Sequence, residues 1–477
     1  MRILSITAQK PHSTGSGVYL TGLVKGFAAL GHEQAVVAGV YEEDEMHFPE
    51  GTRVYPVYYK TKSLPFPIAG MSDEMPYEST IYSRMTEDMV DAFKRVFLEK
   101  TREAVECFRP DLILCHHLYL LTAVVREAFP QYKTAAICHG TGLRQVKKNS
   151  LERDYILAHI KELDKVFCLH REQREEISRI YGVPGERLEV IGSGFDDSIF
   201  RYMTVQKENG VKRLIYAGKL SEKKGVMSLL RSLTYLEQLQ RQDGEQQGQD
   251  GEQQGQGIGQ PADPMKIEVW LAGGYGNQLE YETIKKLADQ SPYPVKFLGR
   301  LAQPQLAERM NQADVFVLPS FYEGLPLVVI EALACGLQVV CTDLPGVRPW
   351  LEENIGTCAV RFVPLPAIVN ADEPVEQELP QFERNLAEAI AESLEADGSR
   401  QEEDGSRQGA DGSRQEADGS RQEADSSRQE EDGRPPETPG GESLAAAGPS
   451  IASPLPDLSR ISWTGISKKI LESCNLI

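Results

Sequence analysis

The eight cysteines of this 477-residue chain contain no Cys-x-x-Cys pair. Cys107, Cys115, Cys138, Cys168, Cys335, Cys341, Cys358 and Cys474 lie mostly in apolar runs. That spacing argues against a zinc site or a disulfide frame and reads as small core residues in a reducing compartment. Positive charge is also short: 51 Lys and Arg stand against 71 Asp and Glu, a net charge of -20. A phosphate backbone needs a basic surface, so nucleic acid is not expected as the main partner. More than half of the excess acid sits in two low-complexity stretches, which leaves the rest only mildly acidic. Long apolar runs are missing as well. The best one, residues 325–341, carries Glu331, Gly336 and Gln338, and falls short of the roughly 20 residues a membrane span needs. The chain opens directly on a strand-like Arg2-Ile3-Leu4-Ser5-Ile6, without the basic region and cleavage site of a signal peptide. A cytoplasmic protein is expected; peripheral contact with the inner face of a membrane stays open.

What the chain does have is apolar material for two cores, 40% of its residues. Strands are expected at residues 2–7, 34–38, 111–115, 134–138, 165–169 and 188–191. A second series follows at 213–217, 266–272, 295–298, 315–318 and 338–342. Between the first two strands, residues 10–17 form a loop with Gly15 and Gly17. Residues 18–30 then form a helix with Leu20, Leu23, Val24, Phe27 and Leu30 on one face, stopped by Gly31. Alternating strands and helices predict an α/β protein with two doubly wound, Rossmann-like domains, at 1–205 and 206–394. Ligands of such sheets bind at the C-terminal strand ends, here facing a shared cleft.

Two segments break the pattern. Residues 243–256 hold Asp-Gly-Glu-Gln-Gln-Gly-Gln twice, and residues 397–432 repeat a seven-residue unit built on Asp-Gly-Ser-Arg-Gln. No position of that unit is consistently apolar, which excludes a coiled coil. Both are expected to be disordered: an insertion at 243–260 and a linker at 395–456. A short amphipathic helix is expected near Trp463, within a C-terminal segment 457–477.

The chemistry concentrates between Asp314 and Gly336. A buried strand ends near Pro319, a loop carries Glu323 and Gly324, and Pro326 suits the first turn of a helix that Gly336 closes. The helix N-terminus offers free N–H groups and a positive dipole end to an anion. Glu331 falls among Val328, Val329, Leu333 and Ala334, where a carboxylate is costly without a partner. A neighbouring Arg or backbone group could satisfy it; a ligand could too.

The sequence Phe321-Tyr-Glu323-Gly-Leu-Pro-Leu-Val-Val-Ile-Glu331-Ala-Leu-Ala-Cys-Gly336, with its two glutamates seven residues apart, resembles the signature of glycosyltransferase family 4. Tyr216-Ala-Gly218-Lys219 and Lys224-Gly225 are similar to that family's basic glycine loop. The segment from Ile191 to Phe200, the glycine turn Leu271-Ala-Gly273-Gly274 and the stretch from Thr342 to Gly346 fit further parts of its pattern. The resemblance implies a GT-B fold and a retaining, metal-independent transferase with a nucleotide-diphosphate sugar as donor substrate and no cofactor. It places Glu323 near the donor sugar and diphosphate, and Glu331 on the ribose diol, which a two-oxygen carboxylate suits. It places Lys219 and Lys224 on the diphosphate, and the Gly324, Leu325 and Leu327 amides, Gly218 and Gly273 around the donor. Lys219 departs from the family, where Arg is usual, and loses the bidentate fork. Gly15, Ser16 and Gly17 resemble the loop near donor phosphate and acceptor, and His139 the histidine close to the sugar. His116 and His117 are weaker candidates. Arg144, Lys147 and Lys148 read as a solvated basic face. Aromatic residues of the 58–84 loop (Tyr58, Tyr59, Phe66, Tyr77, Tyr82) either meet the acceptor or pack. The resemblance also implies that the Trp463 helix crosses back onto the N-terminal domain.

The acceptor stays open among carbohydrate, lipid-linked and small molecules, with polysaccharide or cell-envelope synthesis the implied setting. Two other readings also stay open: a nucleotide-sugar epimerase or hydrolase on the same fold, and a non-catalytic nucleotide-sugar-binding scaffold.

Overall fold

A computed structural model describes residues 1–72, 75–205, 207, 210–253, 265–370, 373–396 and 458–477. Seven strands form the first sheet, in the spatial order Arg53–Tyr58, Glu33–Val40, Arg2–Thr7, Leu112–His116, Thr134–Ile137, Lys165–Cys168 and Leu188–Val190. All pairings are parallel, with Ile3 opposite both Gln34 and Leu112. Six strands form the second sheet: Val295–Gly299, Lys266–Ala272, Val211–Ala217, Val315–Leu318, Gln338–Thr342 and Val360–Val363. It too is parallel throughout, with Leu214 opposite Val315. In each sheet the chain starts at a central strand, winds to one edge, then returns to build the other. The strand order reverses between Arg2–Thr7 and Leu112–His116, and again between Val211–Ala217 and Val315–Leu318. Loops leaving the C-terminal ends of such a pair diverge and leave a crevice.

Two strands of these sheets were not expected from the sequence. Arg53–Tyr58 carries Pro56, and Val360–Val363 is four residues long. Both are sheet edges, where one unpaired side tolerates proline and weakens the apolar signal. The first helix starts earlier than its apolar face suggests, at Gly15–Ala29, because the Thr14 side chain caps it by accepting from the Gly17 N–H. The expectation of disorder from residue 243 is corrected in part. The helix Val226–Gln253 carries the first eleven residues of that stretch. Its Gln, Glu and Arg are good helix formers, and each glycine costs only about 1 kcal/mol. Residues 254–264 and 397–457, with the repeats at 397–432 among them, lie outside the described residues.

The last helix, Trp463–Ser473, packs on the first. Ser462 caps it by accepting from the Gly465 N–H. Gly22 and Gly26 make room for it: a Cβ on Gly22 would stand 2.2 Å from the Trp463 ring, and one on Gly26 2.4 Å from Ser467 Oγ. Ile461, Trp463, Ile466, Ile470 and Leu471 are buried. The Trp463 N–H donates to Phe195 O and the Phe195 N–H to Ile461 O, which ties the helix to the crossover between the sheets. No helix among the described residues is long and apolar enough to cross a membrane.

Candidate active site

The strand Val211–Ala217 runs into Gly218 and Lys219. Gly218 donates its N–H to Ala272 O, and a Cβ on Gly273 would collide with Gly218 O at 1.7 Å, so the two glycine turns lie back to back. Tyr216, buried beneath, donates its hydroxyl to Lys219 O at 2.7 Å and holds that turn. Beyond it, a one-turn 3-10 helix Glu222–Lys224 ends at Gly225, whose φ is +70°. A Cβ there would sit 1.9 Å from Pro319 O. Only glycine allows this close approach, which sets Lys224 beside the loop leaving the next central strand. The Phe321 N–H completes the junction by donating to Lys223 O. Lys224 Nζ then reaches Glu323 Oε1 at 2.7 Å.

Downstream, the helix is Leu327–Ala334 and Pro326 is its N-cap, one position earlier than expected. With no N–H of its own, Pro326 leaves the amides that follow it to face outward at the helix end. Leu325 is buried, and Gly336 closes the helix at φ +83°. Glu331 is only 6% exposed, one turn inside. Burial, with the Asp196 carboxylate adding repulsion, raises its carboxyl to about 8. Among the described residues no cation pairs with it, so the neighbouring-Arg account is not what the structure shows. Asp196 has its own partner, Lys25, at 3.1 Å.

Against this loop stands the first sheet. The Tyr322 hydroxyl reaches Gly140 O at 3.3 Å, and a Cβ on Gly324 would stand 3.2 Å from His139 O. His139, after strand Thr134–Ile137, is thus brought to the Glu323 loop. It is partly buried, and desolvation with His117 and His116 nearby holds its imidazole well below its ordinary range. His139 Nε2 lies 3.0 Å from His116 Nδ1 with the rings stacked, and the His117 ring is 4.9 Å away. On the other side, Tyr19 meets His139 edge-on at 5.0 Å and Trp463 at 4.9 Å. His116 and His117, weaker candidates in the sequence, therefore belong to one cluster with His139. Two histidines at one strand end were the visible signal. Gly15, Ser16 and Gly17 form the first turn of the first helix. A Cβ on Gly17 would meet Lys10 O at 2.8 Å, so glycine is needed for the tight entry.

The solvated-face expectation fails for Arg144. It is 6% exposed and donates to Ser72 Oγ at 3.4 Å, because the helix Thr141–Lys148 packs under the loop that carries Met71. Lys147 pairs with Glu176. In the 58–84 loop, Tyr59, Phe66 and Tyr82 are buried and pack; Tyr58 is exposed. This loop also meets the second sheet, where Arg300 Nη2 donates to Pro76 O at 2.9 Å. That contact, those of the Tyr216 and Tyr322 hydroxyls, and the facing of Asp196 and Glu331 were not visible in the sequence.

Residues 13–199 match the family model described as Glycosyltransferase Family 4, and residues 211–364 match Glycosyl transferases group 1. The chain is 23% identical over 361 residues to a protein of Mycobacterium tuberculosis named glycogen synthase, covering 72% of this chain and 79% of that one. In fold it is similar to sucrose-phosphate synthase from Thermosynechococcus elongatus (TM-score 0.54, 18% identity, 83% and 94% of the two chains covered). It is also similar to an α,α-trehalose-phosphate synthase from Burkholderia vietnamiensis (TM-score 0.54, 14% identity, 83% and 92% covered). With both sheets matched in chain order and the two glutamates on the matched loop and helix, the chain belongs to glycosyltransferase family 4, of the GT-B type.

Proposed function

We propose that this glycosyltransferase takes its sugar from a nucleotide-diphosphate donor, without a metal ion, and transfers it with retention of anomeric configuration. The observation that carries the reading is the Lys224–Glu323 pair at the mouth of a helix N-terminus, with the buried Glu331 behind it. Breaking the bond between the sugar and the diphosphate leaves negative charge on the diphosphate. Lys224, Lys219 and the amides around Gly324, Leu325 and Leu327 are the positive groups aimed at that charge, and they take the part a metal ion would otherwise play. Glu323 accepts from sugar hydroxyls. Glu331, deprived of a cation, takes the two ribose hydroxyls as its partners. Gly218 and Gly273 keep side chains out of the donor's path, and Gly15, Ser16 and Gly17 face it from the first sheet.

In the transfer the acceptor oxygen bonds to the anomeric carbon on the face the phosphate leaves, and the acceptor's proton passes to the departing phosphate oxygen. His139, neutral, borders the sugar and offers one hydrogen bond without adding charge. A panel of UDP-, ADP- and GDP-sugars, read as protection from thermal unfolding in the presence of EDTA, tests the donor assignment. Protection by one nucleotide series supports it; protection by none, or only after a divalent ion is added, counts against it.

A further inference from the structure

The proposed reaction needs an acceptor hydroxyl, and the first sheet contains a cavity walled by two histidines with unused nitrogens. His116 and His117 end the strand Leu112–His116 and are 3% and 4% exposed. His116 Nδ1 faces His139 Nε2 and His117 Nδ1 faces Thr141 Oγ1, each at 3.0 Å. Both Nε2 atoms are buried and without a hydrogen-bond partner. Native structures rarely leave such atoms unsatisfied, because the desolvation cost is not recovered. His117 carries a second cost. Its φ is +74°, a region side chains other than glycine's seldom adopt, and strain of this kind clusters at ligand sites. It is held there by its N–H to Ile137 O and by the Thr122 hydroxyl on its own carbonyl at 2.5 Å.

Both histidines line one small cavity together with Ala8, Met71, Tyr82, Tyr119, Leu121 and Thr122. It has room for about one water-sized group. Its walls come from the C-terminal ends of Arg2–Thr7 and Leu112–His116, where the strand order reverses. His139 links it to the Glu323 loop. Burial lowers both imidazoles to about 3, so both are neutral. A neutral imidazole is a donor at one nitrogen and an acceptor at the other. Two Nε2 atoms can therefore present one N–H and one lone pair, which a hydroxyl matches with its lone pair and its proton. An anion finds no charge on either ring. Ala8, Met71 and Leu121 give the wall an apolar part that suits the C–H surface carrying a sugar hydroxyl, beside Tyr82, Tyr119 and Thr122, whose hydroxyl is already given to His117 O.

We propose that His116 and His117 form a hydroxyl-recognition subsite, and that the acceptor is a neutral polyol that seats one hydroxyl between their Nε2 atoms. The proposal rests on reading the first sheet as the acceptor side of the transferase. The full-length protein, labelled with 15N in its eight histidines, tests it by long-range proton–nitrogen correlation in the presence of UDP. Assignment comes from His116→Asn and His117→Asn. Glucose, glycerol and myo-inositol are the neutral probes and inorganic phosphate the anionic one. The expected result is a shift of both Nε2 signals with at least one neutral probe and none with phosphate. No shift with any neutral probe, or an equal shift with phosphate, overturns the subsite. A second readout needs no variant: a crystal soaked in glucose should place a hydroxyl within hydrogen-bond reach of both Nε2 atoms, and an isolated water there in every soak overturns the subsite as well. Thermal protection of the wild-type protein by UDP, ADP or GDP is scored separately. Its absence would count against the donor reading and leave the histidine result to be judged on its own.

Discussion

Lys224 Nζ and Glu323 Oε1, 2.7 Å apart, join the loops that leave two neighbouring central strands of the second sheet. Each side chain is mostly buried, at 29% and 17% exposure. The pair holds the cation against Glu323, four residues ahead of the helix Leu327–Ala334. Because the two groups share one geometry, their effects should not add. Lys224→Ala and Glu323→Ala are each expected to lower turnover at least roughly tenfold. The double variant should lose much less than the product of the two losses. Steady-state kinetics on the folded variants check this; near-normal turnover in either removes that residue from the site.

Gly225 is the reason Lys224 can come so close. At φ +70° and with Pro319 O 1.9 Å from where a Cβ would be, Gly225→Ala must push the two loops apart. Turnover should fall at least roughly tenfold, as expected for Lys224→Ala, while far-ultraviolet circular dichroism stays unchanged. Normal turnover would show that the approach of the two loops is not needed.

Glu331 makes a prediction about pH. Its carboxyl is raised from 4.5 to about 8 by burial and by Asp196. Between those values the folded protein keeps a proton that the unfolded chain has released. Stability contributed by this group is therefore lost as pH rises from about 4.5 to about 8, by about 5 kcal/mol at most. Glu331→Gln cannot titrate, so its stability should fall less across that window. Urea unfolding of both proteins between pH 5 and 8 checks it; parallel curves would contradict the raised carboxyl.

The C-terminal helix supports the site as well as the fold. Trp463 packs on Tyr19, and Tyr19 on His139. Trp463→Ala should cost about 3–5 kcal/mol of stability and lower turnover in the fraction that remains folded. Gly22→Val should act the same way by displacing the indole. An unchanged melting temperature in either would refute the docking.

The alternation of strands and helices made both sheets legible, because buried parallel strands are apolar runs bounded by turns. What the runs did not show were the edges: Pro56 masks one strand, and Arg361 interrupts Val360–Val363. The donor-side candidates lie close in sequence to the glycines that shape them, so Glu323, Lys224 and Gly225 were readable together. The histidine cluster was harder. His116 and His139 are 23 residues apart and meet only because their strands are neighbours in the sheet. Arg144 misled for the same reason: a basic residue on a short helix looks solvated until the loop that covers it is placed. Local pattern reports which face is apolar, not which distant loop will lie upon it.

The proposed reaction is transfer from a nucleotide-diphosphate sugar with retention and without metal. The direct measurement is proton and phosphorus NMR of the wild-type protein with α-linked nucleotide sugars, neutral acceptors and EDTA. Release of a nucleoside diphosphate together with an α-configured product is expected. A β-configured product, or no nucleoside diphosphate from any donor until a divalent ion is restored, would contradict it.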